Sequence, residues 1–486
     1  MKGSKYMDLI TAKKIKKEYT YWKWQINANE TFTEEMTIFT LTGKNVTYAL
    51  AALESGHLAH IYFGKRADDE DLSYLMRLNE NPFVPKVNER DMGTFMDTTP
   101  FEYPCHGIGD YREPAVSVMD EKGMTALDLR YVSYEITDGK PELYQQLEDC
   151  TVRLPATFAA KDEAQTLAIT MKDAHSGLTA ILYYTVFADL NAITRSVKFI
   201  NNGDKAFKLT RALSACVDFD SDQYDFITLN GSWARERVME RCRLHHGKQS
   251  IDSVKGESSH QNNPFAALVS HNADEDMGEA YGFNLVYSGN FFAEAEVTQH
   301  KKTRFVMGIN HFDFSWKLEP AQEFTAPEVV MVYSDKGIGE MSRTFHDLYR
   351  QHIIRGEYKD KRRPILINNW EATYFDFDTQ KLIDIAKESS KLGIEMLVMD
   401  DGWFGHRNDD STSLGDWFVN EDKIKGGLKY LVDEVNKLGM KFGIWFEPEM
   451  ISPDSKLYEK HPEWAIQIKG RTPSLCRNQY VLDLSR

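Results

Sequence analysis

Residues 365–403 read ILINNWEATYFDFDTQKLIDIAKESSKLGIEMLVMDDGW, and the architecture of the last third of the chain follows from them. Ile365-Leu366-Ile367-Asn368 is a short apolar run of strand type. Asp378 and Thr379 then open a segment whose apolar residues Leu382, Ile385, Ala386 and Leu392 recur at helical spacing, and Gly393 stops it. A strand resumes at Glu395-Met-Leu-Val-Met399 and ends in Asp400-Asp401. The rhythm continues with a second helix carrying Leu428, Leu431, Val432, Val435 and Leu438, a stop at Gly439, and the strand Lys441-Phe-Gly-Ile-Trp445. Lys391-Leu392-Gly393 and Lys437-Leu438-Gly439 echo each other 46 residues apart. Such βα units fit a parallel barrel. An open doubly wound sheet is the competing architecture, although no GxGxxG or Walker sequence places a nucleotide on one. With Tyr480-Val-Leu-Asp-Leu484 as a fourth strand, the segment falls short of the roughly 250 residues of a closed barrel. The chain is therefore expected to be a fragment of a longer protein.

Upstream of the charged stretch Lys359-Asp360-Lys361-Arg362-Arg363-Pro364 the period changes to two. Leu167, Ile169 and Met171 alternate with polar residues, as do Leu178, Ala180, Leu182, Tyr184 and Val186 after the turn signal His175-Ser176-Gly177. Leu209, Leu213, Ala215, Val217 and Phe219 follow the turn Asn201-Asn202-Gly203-Asp204. Runs of this kind, separated by Gly/Asn/Asp clusters, predict a large antiparallel sandwich. The expected organisation is a β domain over 1–340, a helical linker over 341–363 and an α/β domain over 364–486: a multidomain chain of β followed by α/β class.

Of the 486 residues, 42% are hydrophobic and 27% charged, which excludes disordered and fibrous classes. No apolar run reaches the ~18 residues of a membrane span. The net charge of -16 repels a phosphate backbone, so neither nucleic acid nor a membrane is expected as a partner. Five cysteines without CxxC spacing predict reduced thiols. The basic N-terminus lacks the apolar stretch of a secretory signal, so a cytoplasmic location is expected.

Four clusters fall where βα loops would face the open end of a barrel: Asn368-Asn369-Trp370-Glu371, Asp400-Asp401-Gly402-Trp403, Trp445-Phe446-Glu447-Pro448-Glu449, and Arg477-Asn478. Each mixes an indole or guanidinium with hydrogen-bonding groups. That mixture suits a sugar, whose hydroxyls pair with carboxylates and whose C–H face lies on an aromatic plane. Neighbouring carboxylates can select one epimer, because the wrong hydroxyl leaves a buried acceptor unpaired. Each cluster also has a plainer reading. Asp401-Gly402 is a common turn dipeptide, Trp370 and Trp445 could cap a core, and Arg477 could form a surface ion pair. Glu447 and Glu449 could hold a metal with Asp400, as in magnesium-dependent barrels. His406 and His461 show no HxH or HExxH spacing.

These clusters lie within longer strings: ILINNWEATYFDF, LGIEMLVMDDGWFGHRNDD, LGDWFVNEDK, FGIWFEPEMISPDS, HPEW and RNQYVLDLSR. Through them the stretch from Ile365 to Arg486 resembles the first half of the catalytic (β/α)8 TIM barrel of family-36 glycoside hydrolases, the bacterial α-galactosidases. EYPCHGIGDYREP (102–114), GSWARER (231–237), SSHQNNPF (258–265) and APEVVMVYSD (326–335) likewise resemble the family's N-terminal β-supersandwich. The resemblance implies retaining hydrolysis of terminal α-galactosyl residues from melibiose- or raffinose-type oligosaccharides, with no metal or organic cofactor, by a homotetramer. It assigns Asp400 and Asp401 to the 4- and 6-hydroxyls of galactose, Trp370 and Trp445 to aromatic walls, Arg477 to a polar contact, and Trp233 to a contact from the β domain. The family's nucleophile lies in a Lys-Trp-Asp-x-Asn-Arg motif that does not occur here. Nucleophile and acid/base are therefore expected beyond Arg486, and the 486-residue chain alone is expected to be inactive and at most to bind galactosides. Phe63 stands in a Tyr-Phe-Gly-Lys string where the family often has Trp, which bears on contacts to the leaving group.

Overall fold

The computed structural model describes residues 8–23, 27–68, 71–76, 81, 83–87, 95–147 and 149–485. The first seven residues of the basic N-terminus and Arg486 lie outside them. The chain divides into two compact units, Met1–Ile354 and Arg355–Arg486. Among the described residues no helix is long and apolar enough to cross a membrane.

The first unit is built of antiparallel ladders. Its larger sheet runs, edge to edge, through Arg235–Arg243, Tyr224–Ser232, Asn262–Ser270, Ala280–Val286, Glu328–Ser334, Ala192–Asn201, Leu178–Phe187, Ala164–Asp173 and Leu129–Asp138. A second sheet contains Gly247–Asp252, Phe291–Val297, Thr303–Ile309 and Phe207–Phe219, with Val116–Met119 and Trp316–Leu318 paired to the last. A four-stranded meander, Ile10–Lys23 to Leu58–Lys65, precedes them. The period-two residues read from the sequence do face inward: Leu167, Ile169, Leu182, Tyr184, Leu209 and Ala215 share one buried cluster. Phe283 of the larger sheet stacks on Phe305 of the second at 3.9 Å between ring centroids, which marks the sandwich interior.

The sandwich also buries charge. Glu102 accepts from Tyr48 Oη at 2.6 Å, Tyr184 Oη at 2.9 Å and Arg195 Nη1 at 2.9 Å, and its other oxygen faces His60 Nδ1 at 3.0 Å. Arg304, fully buried, forks onto Asp218 and reaches Asp110 at 3.0 Å. A buried charge persists only when paired and hydrogen-bonded. The string Glu102–Pro114 is therefore held down by ion pairs as much as by apolar contact.

A helix over Gly337–His352 lies on the outer face of the larger sheet, with Met341, Phe345 and Leu348 packed against Ile227, Ala267, Val330 and Val332. The sheet admits it closely at Gly282, where a Cβ would stand 2.6 Å from the Phe345 ring. The segment 341–363, expected to be a linker, is thus divided. Its apolar stripe joins the first unit as far as Ile354, and only the charged remainder belongs to the second.

In the second unit, Leu366–Asn368, Met396–Met399 and Lys441–Ile444 form a parallel sheet in that order. Helices Thr379–Lys391 and Gly427–Lys437 connect them, the first capped by Asp378, whose side chain accepts from Lys381 N at 2.9 Å. Leu382, Ala386, Leu397, Met399, Leu431 and Val435 close the core. The expected fourth parallel strand is corrected by the structure. Gln479–Val481 pairs antiparallel with Leu475–Cys476 and Met450–Ile451 in a separate small sheet. The reason is local: Arg477-Asn478 forms a two-residue turn, with Arg477 at φ 58°, and folds the segment back on its predecessor.

Candidate functional site

The site grows from the C-terminal ends of the three parallel strands, which short bonds stitch together. Asn369 is fully buried, and its Oδ1 accepts from Asp400 N at 2.8 Å while its Nδ2 donates to Thr373 Oγ1 at 2.8 Å. Trp445 N donates to Met399 O at 2.9 Å, and Trp403 Nε1 donates to Trp445 O at 3.0 Å. Asn368 Nδ2 donates to Asp400 Oδ2 at 2.5 Å, and Asn368 Oδ1 accepts from Trp370 N at 2.8 Å. Asp400, Trp370 and Trp445 are thereby fixed around adjoining strand ends.

The two aspartates are held by different chemistry. Among the described residues the donors to Asp400 are neutral, the Asn368 amide and Asp401 N at 2.7 Å. Asp401 is 6% exposed and faces the guanidinium of Arg407, which is 1% exposed. Arg407 Nε lies 2.9 and 3.2 Å from the two carboxylate oxygens, and Nη2 lies 2.8 Å from Oδ2. The turn reading of Asp401-Gly402 is also realised: Gly402 has φ 102°, and a Cβ there would stand 3.0 Å from the Phe375 ring.

Trp370 is half-buried, edge-on to Tyr374 and Phe375 at 5.2 and 5.0 Å. Trp445 is half-buried and packs with Trp417 and Phe404 against the core. Arg477, 62% exposed, reaches Glu447 at 3.5 Å, the ion pair that the plainer reading foresaw. Burial raises the Glu447 carboxyl above its ordinary range, Arg477 counters the rise and Glu449 adds to it. Trp233 belongs to the first unit, at the tip of the hairpin joining Tyr224–Ser232 and Arg235–Arg243, and is 83% exposed. Among the described residues no group of three or more His, Cys, Asp or Glu side chains is placed to hold a metal ion.

The sequence clusters include Asn369 and Trp403, but they leave out Arg407. The available signal was an arginine following Gly-Trp-Phe-Gly-His directly after a pair of aspartates. A buried pairing between them depends on a loop path that spacing alone does not fix.

Carboxylates and indoles thus gather at the parallel strand ends of the second unit, and a β-sandwich precedes them along the chain. Residues 56–319 match the glycosyl hydrolase family 36 N-terminal domain, and residues 323–486 match melibiase. The chain belongs to glycoside hydrolase family 36. It is 49% identical over 449 residues to alpha-galactosidase AgaA of Geobacillus stearothermophilus, covering 92% of this chain and 60% of that protein. It is 44% identical over 457 residues to alpha-galactosidase Mel36A of Lactobacillus acidophilus, covering 94% and 61%. Among solved structures, alpha-galactosidase AgaB of G. stearothermophilus superposes with a TM-score of 0.87 at 48% identity, over 96% of this chain and 62% of that one. A variant of AgaA in complex with raffinose superposes with a TM-score of 0.88 at 49% identity, over 92% and 62%. The chain thus spans about 60% of the length of these relatives.

Proposed function

We propose that this chain carries the galactosyl-binding part of a retaining α-galactosidase acting on melibiose- and raffinose-type oligosaccharides. The observation that carries the reading is the pair Asp400 and Asp401 at one strand end, one held by neutral donors and the other by a guanidinium, with Trp370 and Trp445 on the adjoining strand ends. It is supported by the raffinose complex of a relative 49% identical to this chain. In this reading the second unit is the first part of a (β/α)8 barrel, and the protein is a cytoplasmic tetramer.

Galactose differs from glucose in the orientation of one hydroxyl. A fixed carboxylate that accepts from the axial 4-hydroxyl is left unpaired by the equatorial one, and a charged hydrogen bond contributes about 1.5–3 kcal/mol. The indoles would take the C–H face of the ring, and Arg477 would contact its rim. Retaining hydrolysis uses two carboxyl groups about 5–5.5 Å apart, one attacking the anomeric carbon and the other protonating the leaving oxygen. No Lys-Trp-Asp-x-Asn-Arg sequence occurs in residues 1–486, so the share assigned to this chain is binding and orientation. Calorimetric titration with galactose tests the reading. Asp400→Ala is expected to weaken binding roughly 10- to 100-fold, and Asp409→Ala, in an exposed turn, to leave it unchanged. Equal effects of the two substitutions, or no binding by the unaltered chain, would refute it.

A further inference from the structure

We propose that Arg407 is a positioning residue for sugar recognition: its guanidinium fork holds the Asp401 carboxylate in one orientation, so that Asp401 accepts from a hydroxyl of one configuration only. This rests on the sugar-binding reading above. A carboxylate offers about four lone-pair sites. Arg407 meets both oxygens through Nε and Nη2, and the remaining sites are the ones this proposal gives to a ligand. Arginine is suited to this task because its planar fork fixes direction as well as charge, whereas a lysine ammonium fixes charge alone.

The geometry separates this role from simple loop bracing. One donor of Arg407, Nη1, ties the loop by donating to Thr412 O at 2.7 Å. The loop is closed independently of that bond. His406 bridges Ser413 Oγ, 2.8 Å from Nδ1, and Asp454 Oδ2, 2.6 Å from Nε2, and Ser413 N donates to Asp454 Oδ1 at 3.1 Å. Lys423 Nζ donates to Phe375 O at 2.9 Å beneath it. These contacts brace the loop in addition to the ion pair with Asp401. The fork is directed at Asp401, and the pair is almost wholly withdrawn from water. In such surroundings a charged hydrogen bond is strong and its direction well defined.

The test is a double-mutant cycle on the full chain, with galactose, glucose and 1-deoxygalactonojirimycin as probes and thermal unfolding as the check on folding. Arg407→Gln is expected to weaken galactose binding at least tenfold and to shrink the preference for galactose over glucose. Arg407→Lys is expected to do the same, because it keeps the charge and loses the fork. In an Asp401→Asn background either change at Arg407 is expected to cost less than a further twofold. Additive losses in the double variants, or an Arg407→Lys protein that discriminates like the unaltered one, overturn the proposal. If Arg407→Gln does not fold, the lysine variant completes the cycle. A wild-type preference for glucose with the coupling intact refutes the galactoside reading and leaves the positioning role standing. Absence of binding to all three probes overturns both.

Discussion

Glu294 lies on the outer face of the second sheet of the sandwich, 3.4 Å from Lys248 Nζ and close to Glu113 and Glu296. Burial, reinforced by Glu113, pushes its carboxyl up to about 7, against the pull of Lys248. Its folded value therefore exceeds its unfolded one, and the native state takes up a proton more readily than the unfolded chain. Above pH 7 the ionised carboxylate opposes folding, and the penalty is relieved as pH falls from 7 towards the ordinary carboxylate range. Glu294→Gln is accordingly expected to raise the melting temperature at pH 8 and to match the unaltered protein near pH 4. A lower melting temperature for the variant at pH 8 would show that the Lys248 pair dominates instead. Asp400 and Asp401, adjacent in sequence, meet different partners, the one an amide and the other a guanidinium.

At the scale of elements, the loop from Gly402 to Ser413 carries the chain from a strand end to the edge where binding is proposed. Its entry depends on Gly402, since the φ of 102° disfavours any side chain and a Cβ would stand tightly, at 3.0 Å, against the Phe375 ring. Gly402→Ala is expected to destabilise the second unit by about 1–3 kcal/mol and to weaken galactose binding, measured by urea unfolding and titration calorimetry. A stability within about 0.5 kcal/mol of the original would mean that the loop has another path open to it. The short sheet that ends the chain shows how a turn can outrank a strand pattern. Tyr480-Val481 has the apolar character of a barrel strand, yet the turn at Arg477-Asn478 pairs it with its immediate predecessor. Local closure of a two-residue loop restricts few residues, whereas a parallel neighbour must be brought from far along the chain.

For the whole molecule, the division at Ile354/Arg355 predicts two folding units. Arg355 is exposed and follows the helix that completes the first unit, while Arg362 is bound to Glu395 of the second at 2.6 Å. Brief trypsin treatment is expected to cut first after Arg355 and to release a first unit that keeps its β-sheet circular dichroism. Calorimetry of the intact chain is expected to show two transitions. A single transition, with no discrete fragment near 40 kDa, would indicate one cooperative unit. The apolar periods in the sequence were sufficient for the sandwich strands, the two βα units and the strand ends where Asp400, Asp401, Trp370 and Trp445 gather, because side-chain period and burial are linked by backbone geometry. They were not sufficient for the helix 337–352, whose stripe reads equally well as a linker or as a sheet-covering element until the sheet is present.

The sequence by itself determined the order of elements, the carboxylate and indole clusters and membership of family 36, since these depend on residue type and on spacing along the chain. The tertiary structure alone decided that Arg407 faces Asp401, that Glu102 and Arg304 anchor buried ion-pair networks, and that the last strand leaves the parallel sheet. Each of these is a contact whose energy depends on which distant groups share a site shielded from water, and spacing along the chain does not record that.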